Sequence, residues 1–289
     1  MLGGVGLLLP TVVVLLAVSL YPVLRTLWMA FRDTSPVLGA DTFTGLDNVR
    51  ALWADEGFAN AWRHTLFFTG VSMLLETLLG LGIALVLHQR FAGRGFVRAV
   101  VLIPWAIPTV VTSRMFGYLF DGQTGLVNWV LTSLNLVEAP INFTGDARTA
   151  MGTIILADVW KTTPFMALLI LAALQTIPGE LAESAQLDGA GPVRQFWTIT
   201  LPLIMPAMLI AALLRALDAF RIFDLPYVLT GGGPADSTEV MSTLAYKTLF
   251  SGSQYGYGSA MATAMFLTEA VIALGFAVFL VRRFRAVER

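Results

Sequence analysis

Apolar residues in this chain do not alternate with polar ones. They run together in long blocks separated by shorter polar stretches. A hydrocarbon layer about 30 Å thick needs roughly 20 mostly apolar residues in a helix. Six windows meet that length: 7–31, 65–87, 96–120, 149–174, 203–228 and 258–281. Helices are the expected form, because lipid offers no partner to a free backbone amide. The ten-residue alternating strands of a membrane barrel are missing from the pattern. The predicted fold class is therefore all-α: a polytopic membrane protein with about six transmembrane helices.

Composition supports this. The 289 residues are 56% hydrophobic and 13% charged, and the mean hydropathy is +0.75. Soluble domains carry about 25% charged residues, so lipid has to solvate much of this surface. A formal net charge of -1 gives no basic face for nucleic acid. With no cysteine, disulfides, thiol catalysis and thiolate metal sites are excluded. His64 and His88 sit far apart, and two such residues do not make a metal site. The N-terminal apolar block lacks the basic start and short core of a cleavable signal, so an uncleaved first span is expected.

Lys and Arg near the span ends set the orientation. Arg90, Arg94 and Arg98 cluster at one loop, Arg194 lies in the loop 175–200, and Arg282, Arg283, Arg285 and Arg289 close the chain. The rule places both termini and the 175–200 loop in the cytoplasm. Three segments are expected: a first helix and external loop over 1–62, a five-helix transport domain over 63–281, and a basic tail over 282–289.

The 175–200 loop is unusual for its acidic, helix-favouring start. Glu180 and Glu183 fall where a helix N-terminus welcomes carboxylates. Leu181, Ala185 and Leu187/Asp188 share helical spacing. Gly189 is placed to end the helix in the left-handed conformation. Pro192 suits the first turn of a second short helix carrying Phe196, Trp197 and Ile199, with Pro202 and Pro206 opening the next span. This predicts a bent knob of two short helices. A headgroup-layer helix is the plain alternative, but an acidic helix is repelled by an anionic leaflet. A partner cleft accounts for it better.

The run Glu183-Ser184-Ala185, Gly189, Ile199 and Leu201-Pro202 resembles the "EAA" loop of importer-type ABC transporter permeases. Asp188-Gly189-Ala190 and Phe196 are similar to the version in carbohydrate importers, with Ser184 standing where alanine is usual. Leu229-Thr-Gly-Gly-Gly-Pro234, Leu102-Ile-Pro104 with Pro108, and Gly125 with Asn128 extend the resemblance over about 60–280. The resemblance implies a type I ABC importer permease fold in the cytoplasmic membrane of a prokaryote. It implies docking of Glu180, Glu183, Ser184, Ala185, Asp188, Gly189 and Ala190 on an ATP-binding subunit, itself a dimer. A second homologous permease and an extracytoplasmic sugar-binding protein complete the implied partners. Trp160 to Phe165 and Leu217 to Asp224 look similar to trehalose/maltose-type permeases.

Arg215, Asp218, Arg221 and Asp224 recur every three residues with alternating sign, a spacing that on one helix lets neighbours pair. Charges at this depth face a cavity or another helix. Phe220, Phe223 and Tyr227 lie close by, and Trp160 and Lys161 reach a comparable depth. Trp160, Lys161, Asp218, Phe220, Arg221, Phe223, Asp224 and Tyr227 are the candidates for a sugar pathway, with aromatic faces for sugar rings and charges for hydroxyls. Packing struts remain the open alternative. Lys161 is expected to pair with Asp158 or Asp218. Glu76 and Glu269 read as isolated mid-span carboxylates that either bind a helix partner or stay protonated, without substrate contact. Pro104, Pro108 and Pro164 can kink their helices, and the Gly231–Pro234 run reads as a flexible turn, with contact to an external binding protein as the functional alternative.

The chain contains no G-x-x-x-x-G-K-[ST] phosphate loop. It is therefore expected to be no enzyme and to bind no cofactor, leaving ATP and Mg to a partner ATPase. The leading reading is half of the pathway for a disaccharide such as trehalose or maltose. The alternatives are a permease for a glycerol phosphodiester, an ion-coupled secondary transporter, for which the paired broken repeats are missing, and a membrane-embedded enzyme.

Overall fold

The computed structural model describes residues 10–35 and 39–287. Residues 7–9 of the first predicted window and 288–289 of the tail lie outside them. Among the described residues, five helices are long and apolar enough to cross a membrane: Pro10–Met29, Glu56–His88, Ala150–Leu174, Pro192–Leu229 and Tyr255–Arg282. A sixth crossing is possible through the pair Arg94–Ala106 and Thr109–Leu119, bent by 90° at its break. These are called the first, second, fourth, fifth, sixth and third spans by chain order.

The helices differ from the apolar windows at their polar ends. The second span starts at Glu56, well before residue 65. Asp55 Oδ1 accepts hydrogen bonds from the Gly57 and Phe58 amides at 2.8 and 3.1 Å. This capping starts a helix whose first turns carry charge that a hydropathy window rejects. The third span breaks at Ile107–Pro108, where both residues have extended backbone. Proline has no amide proton to carry a helix through. Pro164, by contrast, sits inside an uninterrupted fourth span.

The chain divides into two compact units. One holds residues up to Trp62 together with Val240–Ala270; the other holds Arg63–Glu239 and the residues from Val271 on.

The first unit contains a small addition to the helical pattern, an antiparallel hairpin of Arg32–Ser35 with Ala40–Phe43 that sets Arg32 opposite Phe43. Arg32 Nε donates to Asp41 Oδ1 at 2.7 Å and Thr34 Oγ1 to the same oxygen at 3.1 Å. The Arg32 bond, followed by that of Thr34, holds the Asp41 carboxyl below the usual carboxylate range. Asn48 Nδ2 donates to the carbonyls of Ala30 and Arg32 at 3.0 and 2.9 Å. This ties the hairpin to the helix Asp47–Ala54. Leu52, Ala245 and Met261 form a small apolar core.

The second unit has two apolar clusters. One is built from Phe68, Phe116, Phe120, Ile154, Val159 and Leu225 among others. The other includes Ala84, Leu87, Met166, Ile170, Leu174 and Ile204. Both draw on the second, fourth and fifth spans. Gly80 allows a close approach: a Cβ there would lie 2.8 Å from Met166 Cγ and 3.1 Å from the Ala167 nitrogen.

Candidate functional site

Between these two clusters, in the order of residues along each span, lies a group of charges. The second span supplies Glu76, the fourth Asp158 and Thr162, and the fifth Arg215 and Asp218. Arg215 Nε donates to Glu76 Oε2, Nη2 donates to Glu76 Oε1 at 3.0 Å and to Asp158 Oδ2, and Nη1 donates to Asp218 Oδ2 at 2.8 Å. Thr162 Oγ1 lies 2.7 Å from Glu76 Oε1 and 2.6 Å from the Asp158 carbonyl. Arg215, Glu76 and Asp158 are buried, whereas the Asp218 side chain is 70% exposed. An unpaired buried charge is costly, and here one guanidinium satisfies three carboxylates from three helices.

This differs from the sequence reading in several ways. Of the two alternatives for Glu76 a helix partner is the one found, and it is not isolated: it is the bidentate partner of Arg215. Asp158 and Asp218 pair with Arg215 and not with Lys161, whose Nζ donates to the Trp105 carbonyl at 3.4 Å. That carbonyl is available because the helix breaks just beyond it. The alternating charges do not form one stripe, since the helix ends at Phe220 and another begins at Asp224. Arg221 caps the first of these, its Nε donating to the Leu217 carbonyl at 3.2 Å.

Above the cluster opens a cavity of about 230 Å³. Asp158, Arg215 and Asp218 line it, as do Lys161, Arg221, Phe223 and Asp224, with Trp105 and Thr109 from the third span. Five of the predicted pathway residues therefore meet at one place. The other three do not line it. Phe220 is fully buried in the protein, Trp160 packs against Phe116 with ring centroids 5.6 Å apart, and Tyr227 stacks on Phe223 at 5.0 Å. Sequence reasoning named Arg215 in the charge series and Glu76 as a carboxylate in mid-span but placed neither among the pathway residues, and it did not single out Trp105. For Arg215 the signal was present in its i,i+3 spacing to Asp218; for Glu76 it was only a carboxylate in mid-span, with nothing to name its partner.

The second feature is the helix Gly179–Leu187. Gly189 follows at φ +75°. Its amide donates to the Gln186 carbonyl at 3.0 Å, and the Ala190 amide donates to that of Ala185 at 2.9 Å. These two bonds make the glycine-ended closure predicted from the sequence. Ala185 is buried, whereas Glu180, Leu181, Glu183, Ser184, Asp188 and Gly189 are exposed and Leu187 is 91% exposed. The inward side is thus that of half-buried Ala182 and buried Ala185, not the Leu181–Leu187 face. The second short helix does not exist as a separate element. From Pro192, which opens it at the first turn, the chain is helical through the wider π turn Phe196–Thr200 and on into Leu201–Phe220, so that Pro202 and Pro206 lie within one run.

The Gly231–Pro234 run is not a loose turn. Thr238 Oγ1 lies 2.7 Å from Thr230 Oγ1 and donates to the Gly233 carbonyl at 2.9 Å, and the Thr238 amide donates to the Gly232 carbonyl at 3.1 Å. Buried Asn128 similarly staples its loop, bonding the Asp121 and Ile141 carbonyls at 3.0 and 2.8 Å and accepting the Ile141 amide at 2.9 Å. Among the described residues no group of acidic and histidine side chains could hold a metal ion.

Comparison with known proteins agrees with this architecture. The trehalose/maltose transport system permease protein MalF of Thermococcus litoralis is 41% identical over 284 residues, 98% of this chain and 94% of that protein. The trehalose transport system permease protein SugA of Mycobacterium tuberculosis is 41% identical over 271 residues, 93% of this chain and 86% of its own length. The sulfoquinovosyl glycerol transport system permease protein SmoG of Agrobacterium fabrum is 38% identical over 264 residues, covering 91% and 85% of the two chains. A crystal structure of a bacterial ABC transporter involved in the import of the acidic polysaccharide alginate superposes with a TM-score of 0.84 at 26% identity, covering 96% of this chain and 94% of that one. The profile of the binding-protein-dependent transport system inner membrane component family matches residues 76–286, and this chain belongs to that family of ABC transporter permeases.

Proposed function

We propose that this chain forms half of the pathway of an ATP-driven importer for a neutral disaccharide of the trehalose or maltose kind, in a prokaryotic cytoplasmic membrane. The observation that carries the reading is the exposed, acidic, glycine-locked helix Gly179–Leu187 on a chain whose spans also enclose a polar cavity. In this reading Glu180, Glu183, Ser184, Ala185, Asp188, Gly189 and Ala190 form the coupling segment. They engage a dimeric ATP-binding subunit, which holds the ATP and Mg. This chain binds no cofactor, and its domain over 63–281 pairs with a second homologous permease. Both termini and the 175–200 loop face the cytoplasm. A sugar-binding protein on the other side delivers substrate to the pathway. Trp160, Phe220 and Tyr227 support the pathway wall from behind the cavity residues.

The sugar class is supported by the named substrates of the MalF and SugA relatives. A charged glycoside is the second reading, favoured by the SmoG relative and by Lys161 and Arg221 at the cavity. The experiment is reconstitution with the ATP-binding, second-permease and binding-protein subunits, scoring which solute stimulates ATP hydrolysis. Trehalose or maltose is expected to do so, and Glu183→Lys is expected to separate hydrolysis from uptake. Normal uptake and coupling in that variant would remove the docking role. Stimulation by charged glycosides alone would replace the neutral sugar.

A further inference from the structure

The hydrogen-bond capacity of Arg215 is nearly but not fully used. A guanidinium has five N–H donors in a fixed fork. Nε–H is taken by Glu76, both Nη2 protons by Glu76 and Asp158, and one Nη1 proton by Asp218 Oδ2. One Nη1 proton is left among the described contacts. Asp218 in turn uses Oδ2 and leaves Oδ1 with no described partner, on a side chain that is mostly exposed. Both residues line the 230 Å³ cavity. A donor group and an acceptor group, joined to each other by the Nη1–Oδ2 bond, are thus carried by two neighbouring residues of its wall.

We propose that Arg215 and Asp218 form a two-pronged recognition unit for adjacent hydroxyls of a neutral sugar, with Glu76 and Asp158 as the positioning residues that hold the guanidinium at the cavity wall. The inference rests on the importer reading above and deepens it. Adjacent hydroxyls present one O–H donor and one lone-pair acceptor, the complement of N–H beside a carboxylate oxygen. The buried pairing makes the fork rigid, so little is lost in ordering it when the ligand arrives. At the fork itself three carboxylates already touch Arg215, so no net positive charge is left there for an anion; Lys161 and Arg221 are the cations elsewhere on the lining. Trp105 and Phe223 also line the cavity and offer apolar faces to the C–H surface of a sugar ring.

The test compares transport of trehalose and a set of monodeoxy-trehaloses by the complete reconstituted importer. Wild type, Asp218→Asn and Asp218→Ala are assayed with the same binding protein, so that protein's own discrimination cancels between them. Asp218 is chosen because its side chain is exposed, whereas removing Arg215 would strand two buried carboxylates. Wild type is expected to favour trehalose over the analogue lacking the recognised hydroxyl on the order of tenfold, as for a lost, well-placed hydrogen bond. That ratio should fall toward one in Asp218→Ala, with a partial effect in Asp218→Asn. A merely structural role would slow all substrates together and leave the ratio unchanged; that result overturns the proposal. So does a wild type that moves every monodeoxy analogue at the parent rate, with no variant needed. A wild-type importer that transports no neutral sugar at all would instead bring down the importer reading itself.

Discussion

Arg215 and Glu76, 139 residues apart in sequence, meet as a two-bond pair in the protein interior, Nε to Oε2 and Nη2 to Oε1. The pair joins the second and fifth spans, and Asp158 adds the fourth. Neither helix could bury its charge without the other.

Glu76→Ala should therefore lower stability strongly, by about 3–5 kcal/mol, the usual loss when one partner of a buried pair is removed. Glu76→Gln should lose much less, because it keeps shape and acceptor oxygen while Asp158 and Asp218 still balance the guanidinium. Thermal unfolding of the detergent-purified complex measures both. Equal, large losses in the two variants would mean that the charge of Glu76, and not its shape and acceptor oxygen, is what holds these spans; no loss in Glu76→Ala would mean that the pair does not hold them.

Gly189→Val should destabilise the end of the exposed helix by roughly 1–2 kcal/mol, the cost of a left-handed conformation for a residue with a side chain. No atom lies within 4 Å of a Cβ built there, so the loss is conformational and not steric. Gly189→Asn should be milder, since asparagine tolerates this conformation. Hydrogen exchange at the Gly189 and Ala190 amides reports it; unchanged protection in the valine variant would contradict the closure described above.

Gly80→Leu and Gly82→Leu separate packing from helix propensity. At Gly80 the new side chain meets Met166 and the Ala167 backbone, whereas at Gly82 no atom lies within 4 Å of the Cβ. The first variant should lose about 1–3 kcal/mol through overpacking, and the second should melt at or above the parent temperature. Melting curves that coincide would show that the two helices do not approach as described.

The loop after the third span should respond to acid. Asp121 Oδ1 accepts the Thr124 amide at 2.7 Å, the Gln123 amide at 3.0 Å and Thr124 Oγ1 at 2.9 Å. These bonds, the Thr124 amide first, hold its carboxyl below the ordinary 3.8. A lowered folded value means that the stabilisation is complete above 3.8 and drains away as pH falls through the folded value. Thr124 amide protection should decline there, and Asp121→Asn should flatten the decline. A variant that follows the parent curve would assign the acid response to another group.

Much of the fold was legible in the chain, and the exceptions share a cause. Hydropathy located the spans because lipid demands long apolar helices, but it cut the second span short at residue 65. Glu56, Arg63 and His64 look like loop residues until Asp55 is seen to cap a helix. The charge spacing from Arg215 to Asp224 predicted one stripe; the chain instead breaks after Phe220, and Arg221 turns to the Leu217 carbonyl. Lys161 looked like the natural partner for Asp158, yet Arg215 reaches it first and Lys161 takes a carbonyl freed by the break at Pro108.

The sequence alone determined what is local: which segments suit lipid, where Gly189 ends a helix, and that no phosphate loop is present. Those follow from side-chain hydropathy, backbone freedom and residue spacing, all of which act over one or two turns. Only the tertiary structure decided that Glu76 and Asp158 from other spans join Asp218 on Arg215, and that Trp105 rather than Trp160 faces the cavity. Pairing across spans depends on how three helices rotate and pack against one another, and no single segment carries that information.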